Sequence, residues 1–455
     1  MLIVAALLGI FWLLLAWINL PLAVSMTLGL LPTYLLRFKV GPLPMTILEE
    51  IILLTTAVWL VKAWPLPWRN LKIKPKNWRP YPFTVEIIIV LVVAYLAVLV
   101  GGSTNEAWGI WKAYFIEPIL FFVVALNVLR EKKVMERALF FLSGSLLLIG
   151  LVAGYQYYTG QFIFNPTWAS PLDRRATSIF GFPNAIGLFA TPVSLVLLGF
   201  LKARLKSAAK KINWGNFLLF SSIALGWLAI YWAHSEGALV GLGAALVILG
   251  LLSSWRSFGV TLAILTAILG LWWGRPELFK KIEQKARLAD LSGQIRQSQW
   301  QETWRMLNQG KNFWGAGLAN YQTAVNPYHH EGIWIKSPDN KKAKPTWQPL
   351  EIYLYPHNIF LNFWSELGLA GLLIFIWLWF KAGIINLINY WRFKKKTSLA
   401  WLSWGLLGAW MATLIHGLVD VPYFKNDLAV IFWLGLALTG WLSLQFKQKN
   451  NDTVN

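Results

Sequence analysis

Cysteine is absent from all 455 residues, which removes thiol nucleophiles, disulfides and zinc–thiolate sites together. Charge is scarce as well: charged residues make up 13% of the chain against 57% hydrophobic residues, a balance that excludes a soluble domain of this length. Acidic residues are the rarer sign, 20 against 41 Lys and Arg, for a formal net charge of +21. No repeat of 20–50 residues, low-complexity tract or separate soluble domain stands out. What is present instead is a succession of apolar runs, each about 17–20 residues long, the length that crosses a bilayer as helix. The fold class that follows is all-α, a polytopic membrane bundle forming one domain over residues 1–455.

Spans are expected near 2–18, 20–36, 44–62, 84–101, 107–127, 137–154, 183–201, 216–233, 236–252, 258–273, 359–381, 400–417 and 427–446. The total is twelve or thirteen, because residues 2–36 read either as a tight helical hairpin around Asn19 and Pro21 or as one span plus an interfacial segment. With no basic n-region and no small-residue cleavage site, this first run reads as retained rather than as a signal peptide.

Lysine and arginine orient the bundle, since basic loops stay on the cytoplasmic side. Residues 63–83 (Arg69, Lys72, Lys74, Lys76, Arg79), 128–136 (Arg130, Lys132, Lys133), 202–211 (Lys202, Arg204, Lys206, Lys210, Lys211) and 381–396 (Lys381, Arg392, Lys394, Lys395, Lys396) are strongly basic. Their alternation with near-neutral turns makes 155–182, 274–356 and 418–426 extracytoplasmic, in a cytoplasmic (inner) membrane. The positive charge is therefore an orientation signal scattered over membrane loops, and no nucleic-acid partner is expected.

Three places carry chemistry. Tyr355-Pro356-His357-Asn358 follows the large loop 274–356 and opens the helix that contains Gly368 and Gly371, so one histidine sits at the mouth of a membrane helix. Its bland reading is a helix-capping interfacial residue beside Asn358. Arg174 and Arg175 precede Pro183-Asn184, where proline marks a helix start entered from outside. A helix N-terminus with nearby guanidinium groups can seat phosphate oxygens, although paired arginines also bind lipid headgroups. In the large loop, Arg296, Trp300 and Trp304 share one helix face. The tryptophans read as packing, and Arg296, facing the lid of the bundle, needs an anionic partner. The turn "GAGLANYQ" at 315–322 returns the chain toward the bundle and is no dinucleotide loop, because no strand precedes it. His329-His330 lack carboxylates at useful spacing, so no metal site is expected there. Lys112, Glu117, Glu49 and Glu50 are ionisable groups at membrane depth and need pairing, with Arg37 or Lys39 as available partners. Lys425, between Asp420 and Asp427, can reach a phosphate or pair locally.

Taken together these strings resemble the O-antigen ligase and polymerase superfamily, membrane glycosyltransferases that use polyprenyl-pyrophosphate-linked glycans. The resemblance runs over roughly 140–445 and rests on the Arg-Ala-Thr-Ser…Phe-Pro-Asn segment at 175–184, "SEGALVGLG" at 235–243, Arg296 with Trp300 before "WGAGLANY", His357-Asn358 with Gly368 and Gly371, and "HGLVDVPYFKNDLAVIFW" at 416–433. It implies a large, helical extracytoplasmic loop over a lateral cavity, and transfer without metal or cofactor. The family's essential histidine falls on His357. Its two essential arginines fall on Arg175 and on Arg296 or Arg287; an arginine followed four residues later by leucine, common in ligases, occurs here as Arg287 and Leu291, whereas Arg296 has Trp300 at that offset. Arg174, Asn184, Asn358 and Lys425 join the substrate-binding set.

The residue chemistry agrees. An undecaprenyl or similar diphosphate is a leaving group already activated, so the protein needs arginines to hold it and a base for the acceptor hydroxyl, a task that suits histidine. Direct displacement inverts the anomeric carbon. A covalent intermediate needs a carboxylate instead, and Asp173, Asp290 and Asp420 are the nearest. The expected activity is ligase-type transfer to a glycan, lipid or protein acceptor, as in lipopolysaccharide or other cell-envelope polysaccharide biosynthesis. The alternatives are a polymerase extending lipid-linked repeat units, and a lipid-linked glycan transporter, which calls for internal repeats and charges spread through its central helices.

Overall fold

Each apolar run marked in the sequence becomes helix over most of its length. The computed structural model describes residues 2–41, 43–63, 81–207, 213–273, 280, 283–285, 287–335 and 344–451. The basic residues Arg69, Lys72, Lys74, Lys76, Arg79, Lys210, Lys211, Lys336, Lys341 and Lys342 lie outside the described residues. The long helices are α1 (Leu2–Ile18), α2 (Leu20–Gly29), α3 (Ile47–Ala63), α4 (Thr84–Val100), α5 (Asn105–Val128, with a π turn at Lys112–Ile116), α6 (Lys132–Thr159), α7 (Asn184–Ser207), α8 (Trp214–Trp232), α9 (Glu236–Ser253), α10 (Trp255–Trp273), α11 (Leu291–Met306), α12 (Ile359–Phe393), α13 (Ala400–Gly417) and α14 (Asn426–Asn451). Among the described residues, seven helices are long and apolar enough to cross a membrane: α5 to α9, α12 and the Asn426–Phe446 part of α14. Three more apolar helices, α1, α2 and α4, are shorter. The chain is an all-α polytopic membrane bundle.

At residues 2–36 the run is two helices joined at Asn19. Asn19 breaks the run and caps α2 by accepting from the Leu22 N–H, with Pro21 in the first turn. The second arm is short, however, and gives way to a 3-10 turn (Leu31–Leu35) and an antiparallel ribbon, β1 (Arg37–Val40) with β2 (Leu43–Thr46). Alternation along β1 buries Phe38 and leaves Arg37 and Lys39 exposed. Neither pairs with the membrane acids as expected. Lys112 does, at 3.0 Å from Glu49 and 3.8 Å from Glu117.

The centre of the bundle is α7, packed against α8 and α13. Glycine makes the closest crossing possible: a Cβ on Gly199 would lie 2.6 Å from the Trp401 carbonyl oxygen, and one on Gly405 would lie 2.5 Å from that of Leu195. Beside it an aromatic core joins α12 to the 418–425 turn, with Phe363 stacked on Phe375 at 3.9 Å and both rings against Tyr423.

The large loop docks on the bundle by its backbone. Inside α12, Gly368 takes a left-handed conformation (φ +73°) that breaks the helix. The segment 313–319 fills the break: Ala316 N–H donates to the Ser365 carbonyl (2.6 Å), Leu369 N–H to the Phe313 carbonyl (2.9 Å), and Ala319 N–H to the Glu366 carboxylate (2.9 Å). Leu318 N–H reaches the Ala97 carbonyl at the end of α4 (3.0 Å). Polar backbone at this depth is thus satisfied within the protein. The loop also contains an element the helical reading did not include, an antiparallel ribbon of β3 (Gly332–Ile335) with β4 (Thr346–Pro349).

Candidate active site

Arg175 is held by two helix ends. Gln156, buried near the end of α6, accepts from the Thr177 and Ser178 N–H groups (2.9 and 2.6 Å) and donates to the Phe162 and Ser178 carbonyls. Ala176 N–H donates to the Trp232 carbonyl at the end of α8. This stitching points the Arg175 side chain along the α8–α9 turn, where Nε donates to the Ala233 carbonyl (3.0 Å) and Nη2 to Asn184 Oδ1 (3.3 Å) and the His234 carbonyl (3.4 Å). Burial pushes its guanidinium below the ordinary pKa, against the pull of Asp173 and Glu236.

Arg296 rides on α11, whose N-terminus is capped by Asp290 accepting from Gly293 N–H. Among the described residues its guanidinium has neither hydrogen bond nor ion pair, although half-buried arginines ordinarily find one. Trp300, one turn on, donates its indole N–H to the Pro356 carbonyl (2.9 Å), and Trp304 meets Trp364 edge to face at 5.6 Å. The tryptophans are packing residues, as their stripe suggested, and Trp300 also fixes the backbone next to His357.

His357 sits in the left-handed region (φ +46°), a strained conformation for a residue with a side chain. The rings of Tyr353 and Tyr355 pack on its imidazole edge to face at 5.4 and 5.0 Å. Nδ1 is buried without a hydrogen-bond partner among the described residues, and its nearest carboxylate oxygen is Asp420 Oδ1 at 3.9 Å. Asp420 is buried, and on its other side His416 Nε2 is 4.0 Å from Oδ2. Burial raises the Asp420 carboxyl, but the His357 and His416 imidazoles and the Val421 N–H outweigh it and hold the group near 2. His416 finds room because α9 is glycine there: a Cβ on Gly237 would lie 2.8 Å from its ring.

These groups meet in a cavity of about 280 Å³ lined by Arg175, Arg296, Asn184, His416 and Asp420, with Asp173, His234, Glu236, Asp290 and Ser292 at its sides. All three segments that charge alternation assigned to one side of the membrane contribute to it. Arg175 and Arg296 share the cavity. His357 does not line it. It lies one contact behind, against Asp420, because the two tyrosines and the Trp300–Pro356 bond hold the ring there. The cavity also holds acidic groups that are already paired: Asp173 with His234 at 3.3 Å, and Glu236 with Lys285.

The remaining expected residues separate by what already occupies them. Asn184 lines the cavity and braces Arg175. Arg174 donates to the Tyr157, Tyr158 and Ala169 carbonyls and so caps the end of α6. Arg287 forms an exposed pair with Glu283 at 2.8 Å and is not part of the cavity wall. Asn358 caps α12, accepting from the Phe360 and Leu361 N–H groups while its amide donates to the Leu418 carbonyl. Lys425 places its ammonium 3.7 Å from the centre of the Phe182 ring, beside the start of α7. Burial lowers its pKa, with Asp427 and Asp420 opposing. His329 and His330 are engaged by Glu302, Leu350 and Arg305.

Residues missed in the sequence are His416, His234 and Glu236; the spacing of four between His416 and Asp420 on "HGLVD", and the glycines of "SEGALVGLG", were the available signals. No curated protein matches the chain. Residues 220–376 match the O-antigen ligase family model, a stretch that includes Glu236, Asp290, Arg296 and His357. Over residues 220–376, about a third of its length, the chain is therefore similar to the O-antigen ligases.

Proposed function

We propose that this protein transfers a glycan from a polyprenyl-pyrophosphate carrier to an acceptor hydroxyl on the outer side of the cytoplasmic membrane, by direct displacement and without metal. The observation that carries this reading is the meeting of Arg175 and Arg296 in one cavity whose wall includes Asp420, the carboxylate next to His357. In the reaction, the diphosphate lies between the two guanidinium groups. His357 lies outside the cavity wall, so the acceptor hydroxyl meets the imidazole on the side turned away from Asp420: His357 takes its proton, the acceptor oxygen bonds to the anomeric carbon, and the diphosphate leaves with the electron pair of the broken C–O bond. Arginine stabilises that growing charge better than lysine, through its fork of donors.

Asp420 orients His357. With Nδ1–H directed at the carboxylate, the other ring nitrogen is left as the base, and the separation of 3.9 Å is of the loose kind that tightens when substrate binds. Direct displacement, and with it inversion, is favoured over a glycosyl-enzyme because the three candidate nucleophiles have other work. Asp290 caps α11, Asp173 pairs with His234, and Asp420 lies between two imidazoles.

Reconstitution with a lipid-linked oligosaccharide tests the reading, using mass analysis of the product. Glycan joined to the acceptor without an energy source, and lost in His357→Ala, supports the transferase. Movement of intact lipid-linked glycan across the bilayer supports a transporter instead. The acceptor recovered in the product, whether lipid, protein or a second lipid-linked repeat unit, separates ligase from polymerase.

A further inference from the structure

We propose a second binding site, for an anionic phospholipid, in the groove between α2 and the first half of α6. The groove holds about 520 Å³. Its α6 wall is one helical face that changes character with height: Lys133 and Arg137 come first, then Phe140, then Gly144. From Lys133 to Gly144 the wall rises ~16 Å, about the depth of one leaflet's hydrocarbon. Opposite stand Met26 and Gly29 of α2, apolar throughout.

Lys133 and Arg137 are exposed, and among the described residues neither has a hydrogen bond, an ion pair or a ring contact. The carboxylate in the groove does not oppose an anion there. Glu136 is held by Arg204 at 3.1 Å and by Lys132 at 3.7 Å, so its charge is already matched. Two free cations above an apolar slot fit a phosphate headgroup with one acyl chain beneath it. The basic 128–136 segment assigns this end to the cytoplasmic leaflet, where anionic lipid is recognised by such clusters. The groove below Phe140 is open at Gly144: a Cβ there would meet no atom within 4 Å, so a large side chain would project into the free space where the acyl chain is expected to lie. This site is independent of the transfer reaction and of its cavity.

The test uses the full-length protein in detergent and follows its thermal unfolding while phosphatidylglycerol, phosphatidylcholine or inorganic phosphate is added. Phosphatidylglycerol is expected to raise the midpoint well beyond phosphatidylcholine, and phosphate alone to leave it unmoved. Lys133→Gln with Arg137→Gln, at exposed positions, should weaken the phosphatidylglycerol effect by about tenfold or more in apparent affinity. Gly144→Leu, which fills the slot and leaves both cations, should weaken it as well. Equal response to the two lipids, or a preference that survives the double substitution, overturns the proposal. Stabilisation by inorganic phosphate to the same extent, or binding undiminished in Gly144→Leu, rules out an acyl chain in the groove.

Discussion

In the proposed reaction, a histidine behind a carboxylate and two arginines in front of it divide the work at the residue scale. Arg296, without a protein partner among the described residues, is free to meet an anion, whereas Arg175 already spends Nε and Nη2 on neighbouring oxygens. Arg296→Gln is therefore expected to raise the KM for the lipid-linked donor and lower kcat, with Arg296→Lys restoring only part of the loss, because an ammonium cannot offer two parallel donors. Steady-state kinetics on reconstituted protein reads this, and an Arg296→Lys variant as active as the parent contradicts the clamp. Asp420 gives a pH prediction. Its carboxyl lies near 2 in the fold against an ordinary 3.8, so its ionisation contributes stability that is fully present above about pH 4 and lost as pH falls through about 2. Unfolding followed from pH 6 downward should show a destabilisation in that window that is absent in Asp420→Asn. A parent and variant with the same acid profile would show that Asp420 has no depressed pKa. Sequence made His357, Arg175 and Arg296 visible, because each lies in a string with local character. Only the resemblance ranked Arg175 above Arg174, since which of two adjacent guanidinium groups is consumed depends on where the end of α6 lies. The nearness of His357 to Asp420, far apart in the chain, left no local trace at all.

Elements carry the precision of these residues. α12 starts at Asn358 with a side-chain cap and breaks ten residues later at Gly368, where 313–319 docks. Gly368→Ala would place its Cβ against the Phe313 carbonyl and 2.8 Å from the Trp314 carbonyl carbon, in a conformation that L residues avoid. The substitution is expected to destabilise the protein by about 1–3 kcal/mol and to expose the large loop to protease, measured by thermal unfolding and limited proteolysis. Unchanged stability and cleavage would mean that the docking of the loop on the break is not what holds it. The helices themselves were legible because a bilayer demands long apolar runs. Gly368 was noticed, but its break was hidden within such a run, where hydropathy is indifferent to backbone conformation. The two ribbons were missed because strands of four residues have too little alternation to stand out.

For the molecule as a whole, the bundle is the frame and the proposed chemistry rests on its loops. The segments 155–182, 274–356 and 418–426, assigned to one side by the distribution of lysine and arginine, meet around a single cavity. A transporter would need charged groups along a path between the two sides; the charged groups lining this cavity come from segments assigned to one side. The measurement that tests this account most directly is transfer of glycan from a purified polyprenyl-pyrophosphate donor in proteoliposomes, comparing the parent with His357→Ala and with Arg175→Ala in protein shown to be folded. The account predicts product in the parent, a loss of at least about 100-fold without the imidazole, a severe loss without Arg175, and an inverted anomeric centre in the product. Undiminished transfer in His357→Ala, or product with retained configuration, would contradict it.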